Sequence, residues 1–500
     1  MDDTIPDGWA VARLPDLIGN GGLLVDGDWV ESKDQDPDGE IRLTQLADIG
    51  DGFFRDRSNR FMTEGKARLL NCTFLEAGDI MIARMPDPLG RACVFPGGTR
   101  PCVTVVDVCI LRSGLDEVDS RWLMNFINAP DFRVAVWGLQ AGSTRKRISK
   151  KNLCTIDLPV PPTAEQHRIV SAIESYFTRL DDAVATLSRV ERNLKRYRAS
   201  VLKSAVEGRL VPTEAALAKQ EGRDYEPASV LLERILTERR RRWTESGKKG
   251  KYQEPAPPDT TGLPELPEGW CWATVEQLTT GDRSSGYGVL VPGPDIPDGV
   301  PLVRVGDIHD GRVQLGDIKR ISKDVADQFQ RTYLRGGELL ISLVGSIGRT
   351  AVAPTALAGA NVARAVGVIP IAESLDCRWV ERWFRSPMTQ ARMIGLAHEV
   401  ARKTLNLEDV RCAVVAVPPR AEQTRIVDAV SDIESVNEKS TSIVDFSRQR
   451  LDRLRQSILK WAFEGKLADQ DPSDESASVL LERIKAERDL PKSAKKKSRA

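Results

Sequence analysis

Apolar side chains recur through residues 163–207 with steps that alternate between four and three positions. The positions of this series are Ile169, Ile173, Tyr176, Leu180, Ala183, Leu187, Val190, Leu194, Tyr197, Val201 and Ser204. This is the period of a coiled coil, in which one face of a helix packs against a second helix. Thr163 and Gln166 fit a capping box at the start, and Gly208 supplies a stop. The pattern predicts a helix of roughly 65 Å, at about 1.5 Å per residue.

The same segment returns near the C-terminus with a constant offset. Residues 162–208 correspond to residues 419–465, since 419 − 162 and 465 − 208 both equal 257. No insertion interrupts the helix between these points, which indicates that both copies have one required length. The eight-residue segment from Ala228 returns from Ala477, displaced by 249, so the change in length falls in a loop, where it is tolerated.

The second copy has polar residues on its predicted seam. Its seam positions are Ile426, Val430, Ile433, Asn437, Ser440, Val444, Ser447, Leu451, Leu454, Ile458 and Trp461. A buried asparagine can fix the register of paired helices at some cost in stability, and Asn437 is a candidate for this role. A seam that shifts locally to Val436 and Ile443 is the alternative. The residues expected to carry the helix–helix contact are Ile169, Ile173, Leu180, Leu187, Leu194, Val201, Ile426, Val430, Val444, Leu451 and Ile458.

Two globular segments precede the two helices. Residues 1–158 and 269–416 combine short β-branched runs with amphipathic helical stretches, which predicts mixed α/β domains. The expected strands are 41–46, 79–83, 103–111 and 155–160 in the first domain, and 302–305, 338–344, 364–369 and 414–417 in the second. Expected helices are one from Asp119 that breaks at Pro130, together with 228–243, 376–384 and 388–397. Residues 159–268 form a helical spacer with a linker, and residues 417–500 form a second spacer with a basic tail.

The two globular segments match each other only in outline. Residues 75–82 resemble residues 334–341, and Gly90-Arg91 matches Gly348-Arg349, whereas the remainder differs. Each long helix begins directly at the end of its own domain, so an antiparallel pair would place the domains at opposite ends of a rod. Matching helices indicate one kind of partner bound twice, and unlike domains indicate two different ligands. Two short, unlike sequences on one DNA duplex are ligands of that kind.

Overall charge does not identify a partner, because 72 basic residues balance 72 acidic residues. Basic clusters do stand out at 145–151, 239–242 and 492–499. Eight cysteines without a CxxC pair and only three histidines favour neither a zinc site nor a disulfide framework. A reduced, cytoplasmic protein is expected, since no apolar run approaches the roughly 20 residues that span a bilayer and the acidic N-terminus lacks the features of a secretory signal.

Candidate DNA contacts lie in two basic loops and two glycine-rich turns. Arg145, Lys146 and Arg147 precede the last strand of the first domain, and Arg402, Lys403 and Thr404 occupy the equivalent place in the second. Cations there could neutralise phosphates, and a solvated charge run is the alternative. Further candidates are Ser346 and Arg349, in a turn whose amides could cradle a phosphate, and Arg91 in the matching turn. A simple tight turn is the alternative for residues 345–349.

No catalytic constellation is present in the sequence. GxxxxGK[ST], HExxH, GxSxG and a strand-to-helix GxGxxG are all absent. Residues 128–132 superficially resemble the Asn-Pro-Pro-aromatic motif of amino-methyltransferases, but residues 129 and 131 do not fit and no glycine-rich cofactor loop precedes them. A helix interrupted at Pro130 is the preferred interpretation. We therefore expect no catalytic residue and no metal ligand.

The layout resembles the specificity subunit of type I restriction-modification systems. The resemblance covers essentially the whole chain and rests on residues 161–170 and 418–427, the Glu-Gly helix ends at 207–208 and 464–465, and the Gly-Trp openings of both domains. One departure is Arg420, which stands where Thr163 caps the first helix and is expected to weaken that cap. The resemblance implies two target-recognition domains, each reading half of a split, asymmetric DNA site, with the helices acting as a ruler.

The resemblance also implies which partners and cofactors belong to the complex. Two methyltransferase subunits would dock on the helices, and endonuclease subunits that translocate DNA would join that core. The specificity subunit itself would be non-catalytic, so S-adenosylmethionine, ATP and Mg would belong to the partner subunits. A coiled-coil scaffold with two protein-binding domains is the alternative function. It explains the helices and the repeat, but it gives no reason for basic loops at equivalent positions.

Overall fold

The computed structural model describes residues 5–86, 88–397 and 404–489. The chain divides into two compact units, the first comprising residues 1–188 and 445–500 and the second residues 189–444. Both boundaries fall inside the long helices. Each unit therefore contains one globular domain, half of the helix that follows it and half of the other long helix, a grouping that cuts across the linear four-part division predicted from the sequence.

Short strands and helices form the first domain, and the first long helix follows it. The strands are β1 (Ala10–Arg13), β2 (Leu23–Asp26), β3 (Ile41–Thr44), β4 (Phe61–Met62), β5 (Ile80–Ala83), β6 (Ala92–Val94), β7 (Cys102–Thr104), β8 (Val108–Arg112) and β9 (Asp157–Val160). The helices are α1 (Glu64–Leu69), α2 (Ser120–Ile127), α3 (Pro130–Gly138), α4 (Lys150–Leu153), the long α5 (Thr163–Val206), α6 (Glu214–Glu221) and α7 (Ala228–Glu245).

The second domain repeats this arrangement and leads into the second long helix. Its strands are β10 (Cys271–Thr274), β11 (Gly286–Tyr287), β12 (Val300–Val303), β13 (Ile308–His309), β14 (Arg312–Val313), β15 (Arg320–Ile321), β16 (Leu339–Ser342), β17 (Thr350–Val352), β18 (Asn361–Val362), β19 (Val366–Ile369) and β20 (Val414–Val417). The helices are α8 (Lys323–Asp327), α9 (Cys377–Arg385), α10 (Pro387–Leu396), α11 (Leu407–Arg411), the long α12 (Arg420–Phe463) and α13 (Ala477–Asp489).

Most of the predicted helices and strands are present, and one predicted strand is wrong. The expected strand 103–111 is two strands, β7 and β8, because the chain turns between them and Val108 N donates to Val105 O at 3.0 Å. The helix expected from Asp119 begins as α2, where the Asp119 carboxylate accepts hydrogen bonds from the first free amides. It ends before Pro130, which opens α3 as its first residue.

The two domains share one sheet topology. A four-stranded sheet has the order β2-β8-β5-β6 in the first domain and β11-β19-β16-β17 in the second. A three-stranded sheet has the order β4-β3-β7 and β15-β12-β18, and in each the central strand has one antiparallel and one parallel neighbour. The first strand pairs with the last in both domains. The limited sequence match therefore understates the structural equivalence of the two domains.

The long helices are antiparallel in the first unit. The Arg455 guanidinium lies over the ring of Phe177, 4.8 Å from its centroid, and also pairs with Asp181. Farther along α5, Ser188 Oγ accepts a hydrogen bond from Arg448 at 3.0 Å. Residue numbers rise along α5 while those of the contacted residues fall along α12, which requires antiparallel helices.

The second unit repeats this pairing at the opposite helix ends. Val201, Leu202, Ala205 and Val206 at the end of α5 belong to one hydrophobic core with Ile426, Val427 and Val430 at the start of α12. In the first unit, Ile169 and Ile173 share a core with Ile458, Leu459, Ala462 and Phe463. The predicted fold class of mixed α/β domains with paired antiparallel helices is confirmed within each unit.

The end of each long helix packs against the opening of the domain in its unit. Gly208 (φ +66°) ends α5 beside Pro267, and Gly465 (φ +68°) ends α12 beside Pro6. A Cβ at either glycine would collide with the proline ring, and the left-handed backbone also favours glycine there. The Glu-Gly helix ends are thus explained by close approach as well as by helix termination.

The short helices after the long ones attach to the same domain openings. Ala228 N, at the start of α7, donates to Gly269 O at 2.8 Å, and Ala477 N, at the start of α13, donates to Gly8 O at 2.9 Å. The repeated Ala-Ser-Val-Leu-Leu segment is therefore a second contact between helix and domain in both units.

Burial in the structure differs among the residues of the predicted seam. Asn437 and Val444 are buried, whereas Val436 and Ile443 are 63% and 65% exposed, so the seam passes through Asn437 and does not shift. Ile169, Ile173, Val201, Ile426, Val430 and Ile458 are buried as well, and Leu180, Leu187, Leu194 and Leu451 are half-buried. Tyr176 and Tyr197, which belong to the predicted apolar series of α5, are not buried, since they are 44% and 52% exposed.

Candidate nucleic-acid interface

A buried tryptophan–glutamate pair joins each domain to its long helix. Trp9 Nε1 donates to Glu165 Oε2 and Trp270 Nε1 donates to Glu422 Oε1, both at 2.9 Å. Both carboxyl groups are almost completely inaccessible to solvent. Burial raises the pKa of Glu165 and of Glu422, because desolvation penalises the charged form more than the hydrogen bonds favour it.

A buried glutamine completes each joint. Gln166 accepts a hydrogen bond from Asp119 N at 3.0 Å and donates to Pro161 O at 3.1 Å. Gln423 does the same with Asp376 N and Pro418 O, at 2.9 and 2.8 Å. These glutamines connect the start of the long helix to the start of α2 or α9, and so help to fix how each domain is joined to α5 or α12.

The predicted capping box at Thr163 and Gln166 is therefore wrong. Gln166 is engaged across the domain, and Thr163 Oγ1 donates to Glu117 O at 3.0 Å. Gln423 makes both of its hydrogen bonds without a threonine at the start of α12. Arg420 therefore does not weaken this joint in the second copy. Instead, the Arg420 guanidinium lies 3.7 Å from the Asp376 carboxylate.

The basic loop of the first domain is a closed, exposed turn. Ala141 and Arg147 exchange backbone hydrogen bonds of 2.8 and 2.9 Å across its base. Arg145, Lys146 and Arg147 are exposed, and none of the three forms an ion pair within the described residues. Such cations are available to an external anion such as a DNA phosphate.

The residues that follow the basic loops have matching backbone contacts in the two domains. Ile148 N donates to Arg84 O at 3.1 Å in the first domain, and Leu405 N donates to Leu343 O at 2.8 Å in the second. Thr404 forms a bridge with Val344. The candidates Arg402 and Lys403 lie outside the described residues.

The two matching turns place their arginines differently. Ser346 and Arg349 are exposed, and Arg349 N donates to Ser342 Oγ at 2.8 Å, which closes the turn. Arg91 is 4% exposed, and its guanidinium donates to Ile49 O and Leu46 O at 2.8 Å. Arg91 thus holds the interior of the first domain together, which corrects its selection as a DNA contact.

An open groove in the first domain combines arginines with phenylalanines, and the sequence reasoning missed it. It has a volume of about 920 Å³. The residues that line this arginine–phenylalanine groove are Arg42, Phe54, Asp56, Arg57, Ser58, Asn59, Phe61, Val94, Phe95, Pro96, Gly97, Gly98, Thr99, Arg100 and Cys102. Arg42 lies over Phe54 at 5.8 Å and Arg100 over Phe61 at 5.4 Å. The interleaving of three arginines and three phenylalanines in residues 53–61 is the sequence signal that could have revealed it.

A cluster of four charged residues holds the second domain on α12. This charge cluster consists of Glu381, Arg382, Arg385 and Glu434. Each arginine contacts Glu434 at 2.9 Å, and Glu381, which is fully buried, also accepts a hydrogen bond from Thr350 at 3.1 Å. Burial raises the pKa of Glu381.

The first domain has neutral residues at these four positions. With the offset of 257, the equivalents are Met124, Asn125, Asn128 and Phe177. Asn128 instead exchanges hydrogen bonds of 2.9 Å with the backbone of Ala92. The two domains are therefore attached to their helices at the same place by different chemistry.

Large apolar side chains remain exposed on the long helices. In the first unit they are Tyr176, Phe446, Leu454 and Trp461, and in the second Val190, Tyr197, Val436 and Ile443. Isolated exposed apolar residues are ordinary, but such side chains repeated on a helix that already buries its seam indicate a second contact surface. In the described part of the chain, none of the helices combines the length and apolar character needed to cross a membrane.

Comparisons with known proteins agree with this arrangement. A family model described as the type I restriction modification DNA specificity domain matches residues 40–190. The type I restriction enzyme EcoBI specificity subunit of Escherichia coli is 31% identical over 401 residues, covering 78% of this chain and 76% of that protein. The EcoKI specificity subunit of Escherichia coli strain K12 is 25% identical over 392 residues, covering 74% of this chain and 72% of that protein.

A solved structure shares the fold. It reports the structural basis of complex assembly and conformational transition of the type I R-M system, and one of its chains aligns with a TM-score of 0.60. The alignment covers 93% of this chain and 100% of that chain at 16% sequence identity. At this identity the match concerns the fold alone.

Proposed function

Because the chain belongs to the specificity subunits of type I restriction enzymes, we propose that its two domains read the two unlike halves of one asymmetric DNA site. The observation that carries the proposal is that both domains have one topology and the same tryptophan–glutamate joint to the helices, while their exposed side chains differ. One frame with two surfaces suits two different sequences on one continuous ligand.

The basic loops would position the duplex. Arg145, Lys146 and Arg147 are exposed cations without carboxylate partners among the described residues, so they can displace counterions from phosphates at little cost. Phosphate contacts fix register without reading sequence, and specificity then depends on other groups that reach the base edges. The continuous helices α5 and α12 would set the separation of the two half-sites.

The exposed apolar side chains of α5 and α12 would bind the methyltransferase subunits. The two units repeat the joint between domain and long helix, which suits two copies of one partner. Endonuclease subunits that translocate DNA would join this core. In this proposal the chain contributes recognition and assembly, while S-adenosylmethionine, ATP and Mg serve the partner subunits. The alternative of a protein-binding scaffold is set aside, since it does not account for the family relationship.

The proposal is tested by mapping methylated bases across a host genome. The chain is expressed together with its methyltransferase subunit, and the methyltransferase expressed alone is the control. The expected result is one bipartite motif, with two specified elements separated by a fixed unspecified gap, that appears only when both chains are present. Methylation that is absent, or identical with and without this chain, would contradict the proposed function.

A further inference from the structure

Two loops occupy equivalent places in the two domains and have the same length. Residues 55–60 lead into β4, and residues 314–319 lead into β15, so each loop has six residues. The matching backbone hydrogen bonds are Arg55 N to Asp48 O (2.7 Å) and Leu43 N to Arg60 O (2.9 Å) in the first domain, and Gln314 N to Asp307 O (2.8 Å) and Leu302 N to Lys319 O (2.8 Å) in the second. Both loops therefore have the same backbone anchors.

The side chains of these loops share almost nothing. Residues 55–60 read Arg-Asp-Arg-Ser-Asn-Arg, whereas residues 314–319 read Gln-Leu-Gly-Asp-Ile-Lys. A common frame that carries different hydrogen-bonding groups is what two readers of different DNA sequences require. The contrast therefore lies in the residues between equivalent backbone anchors.

The loop of the first domain is held firmly at the edge of the arginine–phenylalanine groove. Asp48 is completely buried, and its carboxylate accepts hydrogen bonds from Arg57 N at 2.6 Å and Ser58 N at 2.7 Å. Ser58 Oγ also donates to Leu43 O at 2.8 Å. The backbone of the loop is thus ordered before any ligand arrives, so that binding does not have to order it.

Two guanidinium groups in the groove are free to bind. Arg57 and Arg100 are exposed, and neither has a carboxylate partner among the residues that the structure describes. Arg100 is oriented by the Phe61 ring, 5.4 Å away, and Phe61 belongs to β4. Arg42 differs, since Asp48 and Asp56 already engage it. Arg42 therefore forms part of the wall of the groove, and Arg57 and Arg100 are the arginines whose guanidinium groups can donate hydrogen bonds to a ligand.

We propose that the loop 55–60 and Arg100 determine the sequence read by the first domain, and that the base pairs they contact include at least one G·C pair. The inference rests on the proposed function and deepens it. An exposed arginine in a pre-ordered loop donates in parallel to O6 and N7 of guanine, which is the commonest specific contact in the major groove. In this proposal the basic loop 145–147 binds phosphates and contributes affinity, whereas the loop 55–60 and Arg100 contact base edges and contribute specificity.

The test measures the preferred sequence of the intact complex. The full chain and its methyltransferase subunits are incubated with a library of randomised duplex DNA, and the methylated duplexes are sequenced. The variants are Arg57→Ala, Arg57→Lys and Arg100→Ala, together with an exchange in which residues 55–60 receive the sequence of residues 314–319. Arg68→Ala is the matched control, because Arg68 is an exposed arginine of the same domain outside the groove. Thermal unfolding establishes that each variant is folded.

The expected result is confined to one half of the motif. Each arginine variant loses discrimination at one or two positions of one half-site by roughly tenfold, the size that a bidentate pair supplies. Arg57→Lys keeps the charge but lacks the planar fork, so it loses the same discrimination. The loop exchange alters the same half-site, and Arg68→Ala alters neither. A wild-type motif retained by all four groove variants would overturn the inference, whereas a wild-type complex without any preferred sequence would overturn the proposed function as well.

Discussion

The Trp9 indole donates a hydrogen bond of 2.9 Å to the buried carboxyl of Glu165, and so connects the opening of the first domain to the first turn of α5. Trp270 and Glu422 make the same contact in the second unit. In both units, the Glu-Gln motif at the start of the long helix contacts the Gly-Trp motif at the opening of the domain. The joint explains why Gly-Trp and Glu-Gln recur together in both halves of the chain.

The joint predicts a pH dependence of stability. Burial raises the pKa of Glu165 above its ordinary value of 4.5, so the folded protein holds this proton more tightly than the unfolded chain. Its contribution to stability is therefore complete below about pH 4.5 and is lost as the pH rises through the raised pKa. Glu165→Gln can still accept from Trp9 through its amide oxygen, but it does not titrate.

Urea unfolding at several pH values checks this prediction. The difference in unfolding free energy between Glu165→Gln and wild type should move in favour of the variant as the pH increases above 4.5. Glu174→Gln, which replaces an exposed carboxylate of the same helix, is the control. A Glu165→Gln difference that is flat, or that moves in the opposite direction, contradicts the assignment.

The charge cluster predicts unequal costs for two glutamate substitutions on α12. Glu434→Gln removes one of the two carboxylates that Arg382 and Arg385 share, and leaving a buried positive charge uncompensated costs about 3–5 kcal/mol. Glu438→Gln is the control, since Glu438 is more exposed and lies 3.5 Å from the exposed Arg312, a pair worth at most about 1 kcal/mol. Denaturant unfolding that gave equal losses for the two variants would show that the cluster does not hold the second domain.

The basic loop predicts a change in the salt dependence of DNA binding. Replacing Arg145, Lys146 and Arg147 by alanine should weaken binding at low salt and reduce the slope of log K against log salt by about 0.9 for each lost phosphate contact. Titrations of a duplex that contains the methylated motif, at several salt concentrations, measure the slope. Lys33→Ala with Arg68→Ala removes two exposed cations elsewhere on the domain and should leave it nearly unchanged. An unaltered slope in the loop variant removes the loop from the interface.

The exposed face of α12 predicts a loss of methyltransferase binding. Phe446 and Trp461 are 61% and 50% exposed, and their replacement by alanine should not destabilise the chain. Buried at an interface, a tryptophan of this kind contributes about 2 kcal/mol or more. Calorimetric titration with the methyltransferase subunit should show weaker binding by at least tenfold, whereas Leu69→Ala, which removes a 72% exposed leucine from α1, should have no effect. Equal binding by all three proteins would place the docking surface elsewhere.

The sequence predicted the long helices, their antiparallel pairing and most strands, because these follow from periodicity and from an internal repeat with one offset. It left Asn437 and Val436 as alternatives, since a heptad pattern does not state which neighbouring face is covered. The structure resolves this choice through the exposure of Val436 and Ile443. It also corrects Gln166, whose partner Asp119 lies 47 residues away and could not be inferred from a local motif.

The candidate site was less accessible to sequence reasoning. Arg91 and Arg349 occupy matching turns, but burial separates their roles, and the burial of Arg91 depends on contacts with Leu46 and Ile49, which lie more than 40 positions earlier in the chain. The arginine–phenylalanine groove needs residues 54–61 and 94–102 to meet. In the sequence, only the density of arginines and phenylalanines in residues 53–61 indicates this groove. The loop 55–60 is equivalent to the loop 314–319 because of backbone hydrogen bonds, which the sequence does not show.

The most direct test of the account is the spacing of the methylated motif after an insertion in α5. Four residues added after Ala185 lengthen a helix by about 6 Å, so the mapped motif should keep both specified elements and change the gap between them, or methylation should cease. The same four residues inserted after Lys249, in the segment between α7 and β10, should leave the motif unchanged. A motif with its original gap after the insertion in α5 would contradict the claim that the long helices set the separation of two reading domains.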